Sequence, residues 1–327
     1  LSVTLGQRDL SMPVLLAPLA GITDLPFRSL VSGFGAGLVV SEMIASQEMV
    51  QGKWAVREKA ELGIDAANTS VQLAGRDAHW MAEAARMVAG QGAAVIDINM
   101  GCPAKKVVGG YSGSALLRDL DHAQRLIEAV AGAVEVPVTL KTRLGWDADC
   151  LNAADLARRA EGAGVAMIVI HGRTRCQFYK GAADWDAIRA VTSAVSVPVI
   201  ANGDIVDAAS AREALRLSGA AGVMIGRGAQ GRPWQLARIA AALGTGRAPD
   251  VPQGSALSDM VSGHYEAMLD FYGMSLGVRV ARKHLGWYMD DAGTPAGLRR
   301  EILTAADPGA VLARLPEAVG AARQVAA

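Results

Sequence analysis

The chain has 327 residues, 51% of them hydrophobic, which is room for two domains or for one α/β barrel with an appendage. Its 32 Lys and Arg balance 32 Asp and Glu, so no net field draws it to polyanions or anionic membranes. No apolar run approaches the roughly 18 residues of a membrane helix.

Residues 1–9 lack the basic, apolar and small-residue order of a signal peptide. A start at Leu1 instead of methionine leads us to expect a few residues ahead of it. From Pro13 onward, short Val- and Ile-rich runs predict strands at 14–17, 38–41, 70–73, 95–99, 138–141, 167–171, 197–201 and 222–225. Helical spacing of apolar residues intervenes at 79–88, 122–130, 155–163, 185–195 and 208–217, with Asp77, Asp184 and Asp207 placed as caps. Eight β-then-α repeats whose strands are apolar on both faces predict a closed (β/α)8 TIM barrel of the α/β class. An open doubly wound sheet is the alternative, but Pro18-Leu19-Ala20-Gly21 after the first strand is no dinucleotide fingerprint. A Gly/Ala/Pro stretch at 244–254 reads as a linker, and the pattern from 256 to the end is helical. This divides the chain into a catalytic barrel, 1–245, and an all-helical domain, 246–327.

In barrels the chemistry lies where strands end. Here the ends carry Gln72, Asn99 followed by Gly101-Cys102-Pro103, Lys141 and Arg143, His171, Asn202-Gly203-Asp204 and Gly226-Arg227-Gly228. Glycines after the last two strands let backbone N–H groups approach a phosphate, with Arg227 adding charge, although tight turns alone would also use them. Lys141 reads equally as a donor to an electron-rich ring, a Schiff-base nucleophile or half of an ion pair. Its neighbour His171 gains interest only from this company.

Cys102, framed by glycine and proline, is presented on a loop as an acid or nucleophile; the competing reading is a small buried hydrophobe. Cys150 and Cys176 lack such a frame. Three dispersed cysteines with no CxxC pair fit neither a disulfide framework nor a metal site and suggest a reducing, cytoplasmic setting. In the tail, Arg279, Arg282 and Lys283 share a helix face, which on its own is as well explained by solvation.

Together, the run Ala17-Pro18-Leu19-Ala20-Gly21-Ile22-Thr23-Asp24-Leu25-Pro26-Phe27-Arg28, Asn99-Met100-Gly101-Cys102-Pro103-Ala104-Lys105-Lys106-Val107, His171-Gly172-Arg173-Thr174, Asn202-Gly203-Asp204 and Arg282-Lys283-His284 resemble the tRNA-dihydrouridine synthases. The Pro-Ala-Lys-Lys-Val continuation is most similar to the bacterial B-type branch. The resemblance implies a barrel holding FMN, reduced by NADPH, and a helical domain that binds tRNA.

Carried onto this chain, it places Pro18, Leu19 and Ala20 along the flavin, Gln72 and Lys141 at its polar edge, and His171 in the same cavity. Asn202, Gly203, Asp204, Gly226 and Arg227 would surround its phosphate end. Cys102 would protonate C5 of a uracil of the D-loop that receives hydride at C6. Asn99 and Arg143 would hold the uracil carbonyls, Lys105 and Lys106 nearby phosphates, and Arg279, Arg282 and Lys283 the tRNA. Residues 108–113, rich in glycine, would form a lid. Two other functions share parts of this pattern: a flavin reductase of free pyrimidines, and a non-enzymatic RNA-binding or regulatory protein on the same barrel.

Overall fold

A computed structural model describes residues 2–320, except 7, 11, 53–59 and 63–65. Eight parallel strands form the barrel: β1 (Val14–Leu16), β2 (Leu38–Val40), β3 (Thr69–Ala74), β4 (Val95–Met100), β5 (Val138–Arg143), β6 (Met167–His171), β7 (Val199–Asn202) and β8 (Gly222–Ile225). Each pairs with the next, and Val223↔Val14 joins β8 to β1, closing the ring. Nearly every strand residue is buried, because the strands face helices outside and packed side chains inside. The predicted (β/α)8 TIM barrel is the observed fold.

An antiparallel hairpin, Val3–Leu5 with Arg8–Leu10, precedes the barrel. Val3, Leu5 and Leu10 pack with Leu15, Leu38, Val95, Met167, Val169 and Ile200 and fill its floor, so the opposite, carboxyl-terminal rim is left for function. The larger apolar core lies between strands and helices. Those helices are α1 (Leu25–Phe34), α2 (Ala78–Gly90), α3 (Leu120–Ala131), α4 (Ala153–Gly162), α5 (Ala208–Ser218) and α6 (Gln235–Ala242).

Asp77 caps α2, and Asp207 caps α5 in a reciprocal pair with Ser210, as the sequence leads one to expect. The helix predicted over 185–195 is shorter, Arg189–Thr192. Its approach closes through i→i+3 bonds, Ile188 N to Trp185 O and Arg189 N to Asp186 O, while the Trp185 indole donates to Gly203 O at 2.8 Å. Asp184 caps only this turn, accepting from Ala187 N.

Four further helices, α7 (Gly254–Tyr272), α8 (Met274–Ala292), α9 (Ala296–Thr304) and α10 (Pro308–Val319), pack around their own core of Val261, Met268, Leu285, Met289, Ile302 and Leu315. Their joint with the barrel is built on α1. Phe27 is fully buried and lies 5.0 Å from the ring of His284 and 5.8 Å from that of His264. Tyr272 Oη donates to Asp24 Oδ2 at 2.9 Å, and Lys283 Nζ to Gly21 O at 2.7 Å. Burial pushes the Asp24 carboxyl up to about 6, although Phe27 N and Tyr272 donate to it, and burial pushes His264 down to about 3. The joint therefore holds neutral imidazoles against an aromatic ring.

Phe27→Ala should cost about 3–5 kcal/mol in chemical denaturation, since it opens a cavity shared by barrel and bundle. A loss below about 1 kcal/mol would show that Phe27 does not carry the joint.

Candidate functional site

The strand register determines which side chains meet at the rim. Gln72 stands opposite Asp97 and Asp97 opposite Thr139, while Asn99 faces Lys141 and His171 lies between Arg143 and Asn202. These ends surround a cavity of about 670 Å3, within the range of cofactor sites. It is lined by Pro18, Leu19, Ala20, Gln72, Asn99, Cys102, Lys141, Arg143, His171, Asn202, Gly203, Asp204, Gly226 and Arg227, so the candidates from the strand ends come together in one place. Lys105 and Lys106 lie outside the cavity, exposed on the short helix Lys105–Gly109 that follows the Cys102 loop.

The polar floor is a connected chain. Asp97 accepts from Thr139 Oγ1 and from Gln72 Nε2, each at 2.6 Å; Gln72 Oε1 accepts from Asn99 Nδ2 at 2.8 Å. Asn99 Oδ1 accepts from the backbone N–H of Gly101 and of Cys102 at 3.1 and 2.9 Å. Burial raises the Asp97 carboxyl above its ordinary range, opposed by the bonds from Gln72 and Thr139 and by the charge of Lys141.

On the next strands Lys141 Nζ donates to Asn202 Oδ1 at 3.0 Å, and Asn202 Nδ2 donates to Met224 O. Burial first, then the neighbouring Arg143, pushes Lys141 down to about 8. His171 is driven far below its ordinary value by burial and by four nearby cations, so it is neutral at physiological pH. Its Nε2 faces Arg173 Nη1 at 3.2 Å; arginine only donates, which leaves the ring proton on Nδ1.

Arg143 clamps two loops. Nε donates to Gly101 O at 2.8 Å, and Nη1 donates to Thr174 O and Phe178 O at 3.0 and 2.9 Å. Its guanidinium lies 5.6 Å from the Tyr179 ring centre, and Arg227 approaches the same ring to 5.5 Å. At that end Asp204 accepts from Arg173, from Ala183 N and from Arg227; burial would raise its carboxyl, but these bonds hold it low. Gly203 has φ +112°, and a Cβ there would lie 2.8 Å from both His171 and Ala183, so only glycine fits.

The Cys102 loop is fixed from its other side as well. Ser114 donates to Cys102 O through N at 3.1 Å and Oγ at 2.8 Å. Gly113, at φ +60°, packs so closely that a Cβ would stand 2.9 Å from that carbonyl. The glycine-rich stretch 108–113 is thus the end of a short helix and a hydrogen-bonded turn leading into this contact, with Tyr111 73% exposed on it.

The chemistry of the cavity follows from polarity. Gln72, Asn99 and Lys141 each retain N–H groups beyond those bonded above, and Arg143 Nη2 is likewise available, so the floor offers donors to an electron-rich, carbonyl-bearing ring. Pro18, Leu19 and Ala20 supply an apolar wall, and the loops after β7 and β8 close the far end.

In the helical region Arg282 Nη2 reaches Ala305 O at 3.5 Å, Lys283 holds Gly21 O, and Arg279 is exposed on the same helix. Asp97, Arg173 and Tyr179 are site residues that sequence reading passed over. A carboxylate two positions before Asn99, on the same face of an otherwise apolar strand, was the available signal for the first. Among the described residues no His/Cys/Asp/Glu group could hold a metal ion, and no helix is long and apolar enough to cross a membrane.

Residues 15–324 match the family model of dihydrouridine synthase. The chain is 66% identical over 319 residues to a probable tRNA-dihydrouridine synthase of Rhodobacter capsulatus, covering 97% of this chain and 98% of that one. It is 55% identical to a probable tRNA-dihydrouridine synthase of Rhizobium leguminosarum bv. phaseoli, with 94% and 95% coverage. It is 46% identical to tRNA-dihydrouridine synthase B of Xanthomonas axonopodis pv. citri, with 94% and 93% coverage.

A lysine whose folded value is lowered binds fewer protons than in the unfolded chain between pH 8 and 10.5. Its contribution to stability therefore rises with pH across that window. Comparing urea denaturation at pH 8 and pH 10, Lys141→Met should lose roughly 1–3 kcal/mol of this gain. An unchanged difference would contradict a desolvated Lys141.

Proposed function

The chain belongs to the dihydrouridine synthase family, and from that premise we propose that it reduces the C5–C6 double bond of one uridine in tRNA, using FMN and NADPH. Family members are flavin-dependent oxidoreductases, and this chain is an enzyme of that class. The observation that carries the proposal is the meeting of a donor-lined apolar cavity and a loop-borne thiol at one barrel rim.

The cavity fits a flavin mononucleotide by its chemistry. Pro18, Leu19 and Ala20 give the ring an apolar wall, Gln72 and Lys141 donate to its carbonyl edge, and His171 lines the same space. Asn202 orients Lys141, while Gly203, Asp204, Gly226 and Arg227 frame the phosphate end, where the Asp204 charge is already offset by Arg173. When bound and reduced by NADPH, the flavin supplies hydride for C6 of uracil.

The chain's own residues do the rest. Cys102 donates a proton to C5, and its position is fixed by Asn99 on its N–H and Ser114 on its carbonyl. A general acid so placed contributes roughly 10²–10⁴-fold. Arg143, still cationic because burial lowers it only to about 10, and the remaining Asn99 N–H hold the uracil carbonyls.

The target base must leave its stack to reach this depth. Backbone phosphates around it would meet Lys105 and Lys106, and Arg118 and Arg175, which lie over Trp146 at 5.0 and 4.7 Å. Among the described residues none of these four has a carboxylate partner, whereas Arg86, Arg158, Arg216 and Arg314 are paired with acids on their own helices. Arg279, Arg282 and Lys283 extend the contact onto the helical domain, with Lys283 also tying the two parts. A D-loop uridine in the cytoplasm is the substrate that the B-type likeness suggests.

With FMN, NADPH and unmodified tRNA, Cys102→Ala should keep NADPH oxidation by oxygen and lose dihydrouridine formation by roughly 10²–10⁴-fold. Unchanged dihydrouridine formation in nuclease-digested tRNA would remove the proton-donor role.

A further inference from the structure

The two ends of the buried chain that begins at Asp97 constrain everything between them. At one end stand the backbone N–H groups of Gly101 and Cys102, which can only donate, so the amide at position 99 must turn its oxygen to them. Its nitrogen then points at Gln72, which must answer with its own oxygen and send Nε2 onward. That Nε2 needs an acceptor in the fully enclosed barrel interior, and Asp97 Oδ2 is that acceptor, 2.6 Å away. Thr139 fixes the carboxylate through its other oxygen.

We propose that Asp97 is a positioning residue for the Cys102 loop: by accepting from Gln72 it sets the orientation of two successive amides and so holds the backbone that carries the thiol. It acts through Gln72 and Asn99 and touches neither thiol nor cavity. The same orientation engages both amide oxygens, so what Gln72 and Asn99 have left to offer the cavity they line is N–H. This deepens the reading of Cys102 as proton donor and rests on it for activity, but its geometric part can be tested without substrate.

The test is the alkylation rate of each cysteine by iodoacetamide, resolved by peptide mass spectrometry, in protein without added ligand. Asp97→Leu, which keeps the forked side-chain skeleton, removes the acceptor and should speed Cys102 alkylation about ten-fold, the loss of one net hydrogen bond, with Cys150 and Cys176 unchanged as internal references. Asp97→Asn should behave as wild type, because its oxygen can face Gln72 while its nitrogen turns to the Thr139 hydroxyl. Gln72→Met breaks the chain one link later and should match Asp97→Leu, with the double variant no worse than either; it also carries the test if Asp97→Leu does not fold.

In the tRNA assay Asp97→Leu should lower kcat about 10²-fold and Asp97→Asn restore it. Wild-type Cys102 alkylation in a folded Asp97→Leu or Gln72→Met variant, or equal acceleration of all three cysteines, would overturn the proposal. Altered alkylation with no tRNA reduction by the wild type would leave the relay standing and remove the enzymatic reading instead.

Discussion

Closure of the eight-stranded ring is the constraint on which the rest depends. Because each strand pairs in parallel with the next, β8 with β1 included, all eight run in one direction and all eight carboxyl ends open on one rim. The hairpin of Val3, Leu5 and Leu10 fills the opposite end. Side chains distant in sequence, such as Gln72, Lys141 and Arg227, then share a cavity without any local signal that they should. Parallel register adds a second constraint: Gln72, Asp97 and Thr139 stand side by side and can bond across three strands.

The interior uses charge sparingly. Asp97 is held by two donors, Asp204 by Arg173 and Arg227, and His171 is neutral, so each of these three groups is either paired or discharged. The overall neutrality of the chain has a local structure too. Its helical surfaces carry arginine–carboxylate pairs three residues apart, while among the described residues Lys105, Lys106, Arg118 and Arg175 near the rim have no acidic partner. A neutral protein with a few unopposed cations beside its cavity is suited to one folded polyanion over polyanions at large.

Much of this was legible in sequence because parallel barrel strands are apolar on both faces and stop at polar residues. Strands near 95–99 and 167–171 and the ends Asn99 and His171 needed no partner to be read. The short helix after Asp184 was misjudged in length: apolar spacing is helical there, but the Trp185 indole is drawn to Gly203 O, a contact invisible without the fold. α6 spans only 8 residues and buries Gln235 with its apolar positions, too short a window for helical spacing to stand out. The Asp97 relay depends on register between strands about 25 and 42 residues apart in sequence, which spacing along one strand cannot reveal. Lys283, expected to meet solvent or tRNA, is exposed and also donates to Gly21 O across the joint, a contact that spacing along the tail cannot reveal.

If this cavity acts on a uracil presented by a folded RNA, tRNA and free uridine must behave differently as substrates. The direct measurement is product mass after incubating the flavin-loaded protein and NADPH with unmodified tRNA or with free uridine at equal uridine concentration. The expected result is that tRNA gains two hydrogen atoms at a single uridine while free uridine is left unreduced. Reduction of free uridine at a comparable rate, or tRNA of unchanged mass, would contradict it.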